Sequence, residues 1–169
     1  MLASEKLLSA INQQIGNEFG ASLQYVSIAS HFEAQALTGL ARFFYRQADE
    51  ERDHAMKFVK FVVDAEGPLS IPAIPAPKAE FQSAAKAVGM ALDWEQEVTK
   101  QIYHLVDIAK EDSNYIAIRF LDWFVNEQFE EVNTMSHLLQ VVERAGEEGL
   151  LFVEEFLARE GGNFPEGEA

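Results

Sequence analysis

Apolar residues recur with a helical period in four long segments, and each stripe is broken near its middle by polar or charged residues. In the first, Leu8, Ile11, Ile15, Ser22, Tyr25 and Ala29 follow the 3.6-residue period behind Ser4, a residue suited to cap the helix, and Glu18 stands within the stripe. The second follows Thr38 and carries Leu40, Phe44, Phe58, Val62 and Ala65 on one face, interrupted by Gln47, Glu51 and His54. The third presents Ala84, Val88, Leu92, Thr99, Ile102 and Val106 around Glu95. The fourth, after a cap at Ser113, presents Leu121, Val125, Val132, Met135 and Leu139 around Gln128. Gly146 closes this helix, residues 150–160 predict a short fifth one, and residues 161–169 read as a frayed tail.

The one long connection, residues 67–77, is punctuated by Pro68, Pro72, Pro75 and Pro77, which favour an extended polyproline course. A helix of roughly 29 residues runs about 43 Å, and 14 residues of extended chain cover about the same distance. The linker can therefore cross the bundle end to end. This predicts an all-α four-helix bundle in which helices one and two, and three and four, are antiparallel hairpins. A long crossover makes helices two and three parallel, and a short fifth helix follows. The whole chain, residues 1–169, reads as one domain.

The breaks in the stripes are not independent. Glu18 and Glu51 are 33 residues apart, as are Glu95 and Gln128, and an offset of 77 carries the first pair onto the second. The same offset maps Glu50 onto Glu127, His54 onto Glu131 and Arg42 onto Arg119. An ordinary solvated helix charge accounts for one such Glu, but not for carboxylates at equivalent heights on four helices. Like charges converging in a core repel unless a cation neutralises them. Glu51 and His54 lie on adjoining turns of one face, which supplies oxygen and imidazole ligands together. Two irons would suit Glu18 and His54 on one metal, Glu95 and Glu131 on the other, and Glu51 between them.

Charge agrees with a cationic ligand: the formal net charge is −15, which opposes nucleic-acid and anionic-membrane partners. No cysteine is present, so disulfides and thiolate metal sites are excluded, and a reducing cytoplasm is the expected location. No apolar run is long enough to span a bilayer.

Through Glu18, Tyr25, Glu50-Glu51-Arg52-Asp53-His54, Glu95 and Glu127-Gln128-Phe129-Glu130-Glu131, the chain resembles the bacterial non-haem ferritins over residues 4–160. The resemblance implies iron storage and detoxification: ferroxidase oxidation of Fe(II) by O2 or H2O2 at a di-iron centre, with Fe(III) kept as mineral inside a homo-oligomeric shell of 24 subunits. It implies a third iron site at Glu50, Glu127 and Glu130, and a redox-active role for Tyr25, with Trp123 a second candidate. For both aromatics, core packing is an equal alternative. Haem-binding ferritins carry methionine where this chain has Arg52, and a second E-x-x-H where it has Gln128 and Glu131, so no haem is expected.

Tyr45, Met56, Val59 and Val63 form a second apolar stripe on helix two, which predicts a subunit contact. Gly16 and Gly20, outward on helix one, are expected to admit a neighbouring backbone. His31 is expected at a surface or interface. Two rival functions remain open at this level: a di-iron redox enzyme without storage, and a DNA-protecting shell. The acidic balance and the ligand set contained within one chain argue against the second.

Overall fold

The computed structural model describes residues 2–160. Its helices are α1 (Glu5–Ala34), α2 (Thr38–Asp64), α3 (Ala84–Glu111), α4 (Tyr115–Ala145) and α5 (Leu150–Glu160), with one 3-10 turn at Glu147–Gly149 and no strand among the described residues. The frayed tail expected at 161–169 lies outside them.

Helix boundaries follow from local chemistry. Ser4 Oγ accepts the Leu7 amide at 3.1 Å and starts α1. The first three helices end in one motif, with a residue at positive φ just past the helix: Ala36, Glu66 and Ser113. In each turn the next amide reaches back five residues, as in Asn114 N to Ala109 O at 2.8 Å. Ser113 is thereby committed to closing α3, and the cap of α4 falls to Asn114, whose side-chain oxygen accepts from Ala117 N at 3.0 Å. This corrects the expected Ser113 cap by one residue. Gly146 ends α4 at φ 67, a conformation glycine adopts without steric cost.

The chain ends fix the topology. Leu2 N bonds Ala65 O, Ser4 Oγ bonds Asp112, and Asn114 Nδ2 bonds Leu2 O, so the start of α1 meets the ends of α2 and α3 and the start of α4. Helices α2 and α3 are therefore parallel, as a crossover requires. The linker runs along α1: Asn12 bonds Pro68 O and Ser70 N, and Gln24 bonds both the amide and the carbonyl of Lys78. Between these anchors Pro72 lies on Gly16, where a Cβ would stand 2.4 Å from the proline ring. Gly16 thus admits the chain's own linker, and not the neighbouring subunit expected from sequence. Gly20 is under no such demand, since its Cβ would meet Ile74 and Trp94 at an ordinary 3.7 Å.

Short α5 docks at the opposite end. Leu37 precedes α2 and offers it no side-chain cap, and Glu154 of α5 fills the role by accepting from Gly39 N at 2.6 Å and Leu40 N at 2.9 Å.

The core is split in two. One cluster holds Ala21–Phe32 side chains of α1 with Phe43, Phe44, Val88, Met135 and Leu138. The other holds Leu7, Leu8, Ile11 and Ile15 with Phe58, Val62, Ile102, Leu121 and Phe124. On every long helix buried polar residues stand between the two clusters: Glu18, Glu51 with His54, Glu95, and Glu127 and Gln128 with Glu131. That layer is the candidate site.

Candidate metal centre

The layer contains Glu18 from α1, Glu51 and His54 from α2, Glu95 from α3, and Glu127, Gln128 and Glu131 from α4, all buried. One-turn spacing explains why α2 delivers both carboxylate and imidazole: positions i and i+3 project from one face. His54 Nδ1 lies 3.6 Å from Glu51 Oε1, and its Nε2 lies 3.7 Å from Glu127 Oε1. Trp123 and Phe124 pack edge-on against the imidazole and hold its plane.

Two groups of donor atoms converge closely enough to share an ion: Glu18, Glu51 and His54, and separately His54, Glu127 and Glu131, the atoms in each lying within 4.8 Å of one another. Glu127, placed at the third site by resemblance, here closes on His54. Glu95 belongs to neither group, and both its oxygens are engaged. Tyr25 OH donates to Oε1, and Gln128 Nε2 donates to Oε2 at 3.4 Å. Tyr25 is fully buried against Glu95 and edges the Phe44 ring, so it is at once a core side chain and a neighbour of the site. Glu50 and Glu130 are half-buried at the rim, where Gln47 Nε2 donates to Glu50.

The orphaned atoms test whether a cation fits. Among the described residues, both oxygens of Glu51 and Oε2 of Glu18 are buried without a hydrogen-bond partner, whereas Gln14 Nε2 satisfies Glu18 Oε1 at 2.8 Å. Unpartnered buried carboxylate oxygens are costly, and an oxygen–imidazole donor set suits a transition metal. The residues fit a divalent transition metal, iron among them.

The electrostatics express the same frustration. Burial, and then Glu95, push Glu51 well above the ordinary carboxylate range, with His54 pulling against them. Burial and then Glu95 do the same to Glu131, with Glu50 and Glu127 adding to the repulsion. Burial raises Glu95 to about 7, opposed by the Tyr25 hydrogen bond. For His54 burial disfavours the cation, but Glu51 and Glu127 outweigh it and hold the pKa well above its usual value. Tyr25 is kept protonated by burial and by Glu95.

Gln14, Gln47 and Thr99 support these groups and were not singled out as site residues from sequence. A signal existed: Gln14 and Gln47 each stand one helical turn before Glu18 and Glu51. The remaining histidines lie apart. His31 is half-buried against Phe32 and Phe81, and His104 and His137 are exposed.

A bundle with this crossover and this carboxylate–histidine layer has known relatives. The model of the ferritin-like domain matches residues 8–145, and the chain belongs to that family. It is 40% identical over 155 residues to ferritin BfrB of Mycolicibacterium smegmatis, covering 92% of this chain and 85% of that one. It is 35% identical over 147 residues to a bacterial non-heme ferritin of Staphylococcus aureus, covering 87% and 89%. Among solved structures, an open pore ferritin from Archaeoglobus fulgidus superposes with a TM-score of 0.89 at 33% identity, covering 93% of this chain and 97% of that one.

Proposed function

We propose that this chain is an iron-storing ferroxidase, and the observation that carries the reading is Glu51, fully buried with neither oxygen partnered. Fe(II) is the substrate. Glu18, Glu51 and His54 would hold one ion, Glu131 and Glu95 a second, with Glu51 shared. Oxidising two Fe(II) releases two electrons, which with two protons convert O2 to H2O2 or H2O2 to water. Product Fe(III) would leave past Glu50, Glu127 and Glu130, the proposed third position, towards a cavity enclosed by identical subunits, 24 by analogy with the family. We place this assembly in the cytoplasm.

The chain's own residues do the following. His54 and Glu51 bind the entering cation, and the Glu51 carboxylate offsets its charge. Gln14 holds Glu18 by one oxygen and leaves the other free to ligate. Tyr25 orients Glu95 from the opposite side. Trp123 and Phe124 keep water from the imidazole face.

Stopped-flow Fe(II) oxidation tests the centre. Glu51→Ala with His54→Ala should abolish the fast phase with helices intact, and a wild-type rate would rule the centre out. Aerobic loading tests storage: many irons retained per subunit in a large particle support it, whereas two irons and no mineral would point to a redox enzyme instead.

A further inference from the structure

Glu95 differs from Glu51 in having both oxygens held, and the side chain that completes its support stands outside the ligand set. Thr99, one turn after Glu95 on α3, places Oγ1 3.0 Å from Gln128 Oε1 on α4 and 2.8 Å from the Glu95 carbonyl oxygen. A hydroxyl has one proton to give. The Glu95 carbonyl lies within a continuous helix, where the amide of Thr99 itself is its partner. Gln128 Oε1 is thus the acceptor that needs the hydroxyl. With that bond made, the amide cannot turn, and its Nε2 faces Glu95 Oε2 at 3.4 Å. The reverse orientation would set an amide oxygen against a carboxylate oxygen, two acceptors with no proton between them. Tyr25 meanwhile occupies Oε1.

We propose that Thr99 is a positioning residue for the second metal position: its hydroxyl fixes the Gln128 amide as a hydrogen-bond donor to Glu95, so that Gln128 orients a ligand and is not itself one. The proposal rests on the layer being the iron site. It explains why a neutral amide occupies the place that the internal repeat pairs with Glu51. A carboxylate there would face Glu95 and could donate nothing to it while ionised. It also gives a half-buried threonine a role that no apolar residue of its shape can fill.

The test is Co(II) titration of the full assembled apoprotein, followed by calorimetry and by the visible d–d bands. Wild type should take up two Co(II) per chain. Thr99→Val, which keeps the shape and loses the hydroxyl, should weaken the second equivalent about tenfold, the low end of what outer-shell partners contribute. It should alter the bands of that ion and leave the first equivalent unchanged. Thr99→Ser should restore the second affinity to within about twofold. In a Gln128→Leu background Thr99→Val should have no further effect, since the amide it orients is gone. Unchanged binding of both ions in Thr99→Val, or a Thr99→Ser variant as weak as Thr99→Val, overturns the proposal while leaving the iron-site reading in place. Thr99→Ala, compared with Thr99→Ser in the same way, serves if the valine disturbs the helices by circular dichroism. Wild type binding no Co(II) overturns both.

Discussion

Glu51 Oε1 and His54 Nδ1 face each other across 3.6 Å, a separation too long for a hydrogen bond and close to that of two donors on one metal ion. Ligands about 2.1 Å from a cation stand roughly 3.0–3.5 Å apart at octahedral or tetrahedral angles. The gap is an arrangement for a third party. The cost of holding it open falls on the apoprotein, which keeps several carboxylates in a buried layer between two apolar clusters.

That cost has a pH signature. Glu51, Glu131 and Glu95 have folded pKa values raised above the ordinary 4.5, Glu95 to about 7. His54 is raised above 6.5. A raised folded pKa means the native state binds more protons than the unfolded chain, so stability is present at low pH and lost as pH rises through the folded value. The apoprotein's thermal midpoint should fall between pH 5.5 and pH 8. Redox-inert Zn(II) should reverse the trend, because its ligands bind deprotonated and its stabilisation grows with pH. Calorimetric scans across this range would decide it, and an apoprotein midpoint that climbs towards pH 8 would contradict the electrostatics.

The crossover makes a paired prediction. Gly16→Ala gains helix propensity but drives a methyl into Pro72, so it should destabilise by about 1–3 kcal/mol, the usual cost of overpacking. Gly20→Ala meets only ordinary contacts and should stabilise by roughly 0.5–1 kcal/mol. Urea midpoints of the two variants should move in opposite directions. Equal shifts would mean the linker is not seated on α1 as described.

Much of this is legible in the sequence, for reasons that are local. Four interrupted stripes and a repeat of 33 and 77 residues locate the polar layer, because helical period converts sequence spacing into height along a bundle. Residues whose meaning depends on another segment's approach were not legible. Thr99 reads as an apolar-stripe residue until α4 brings Gln128 beside it, and Gly16 reads as an assembly glycine until Pro72 covers it. Ser113 and Asn114 are equally good caps by composition, and the turn that ends α3 chooses between them.

Glu154 offers a local readout. Its carboxylate satisfies two amides at the uncapped start of α2, so Glu154→Ala should cost about 1–2 kcal/mol. The loss should concentrate where the bonds were, with faster hydrogen exchange at Gly39 and Leu40 and at α5. Glu154→Gln keeps an acceptor and should fall between. Unchanged protection at these amides in the alanine variant would show that α5 does not cap α2.

The last prediction concerns the outer face of α2. Tyr45, Met56 and Val63 are exposed in the single chain, Val63 by 59%, whereas Val59 is half-buried against the cluster that holds Leu7, Ile11 and Phe58 and is a poor probe of assembly. The informative variant is therefore Met56→Glu with Val63→Glu, which leaves both core clusters untouched. In an isolated subunit the new carboxylates stay hydrated and cost little. Against an apolar neighbour they would lose water without gaining a partner, several kcal/mol per ion set against the free energy of association. Size exclusion with light scattering should find small species, far-UV circular dichroism should find the helices, and Co(II) should still bind. Retained mineral should be lost, because binding belongs to one bundle and storage to an enclosed cavity. A large particle of unchanged size would remove this face from the subunit contact.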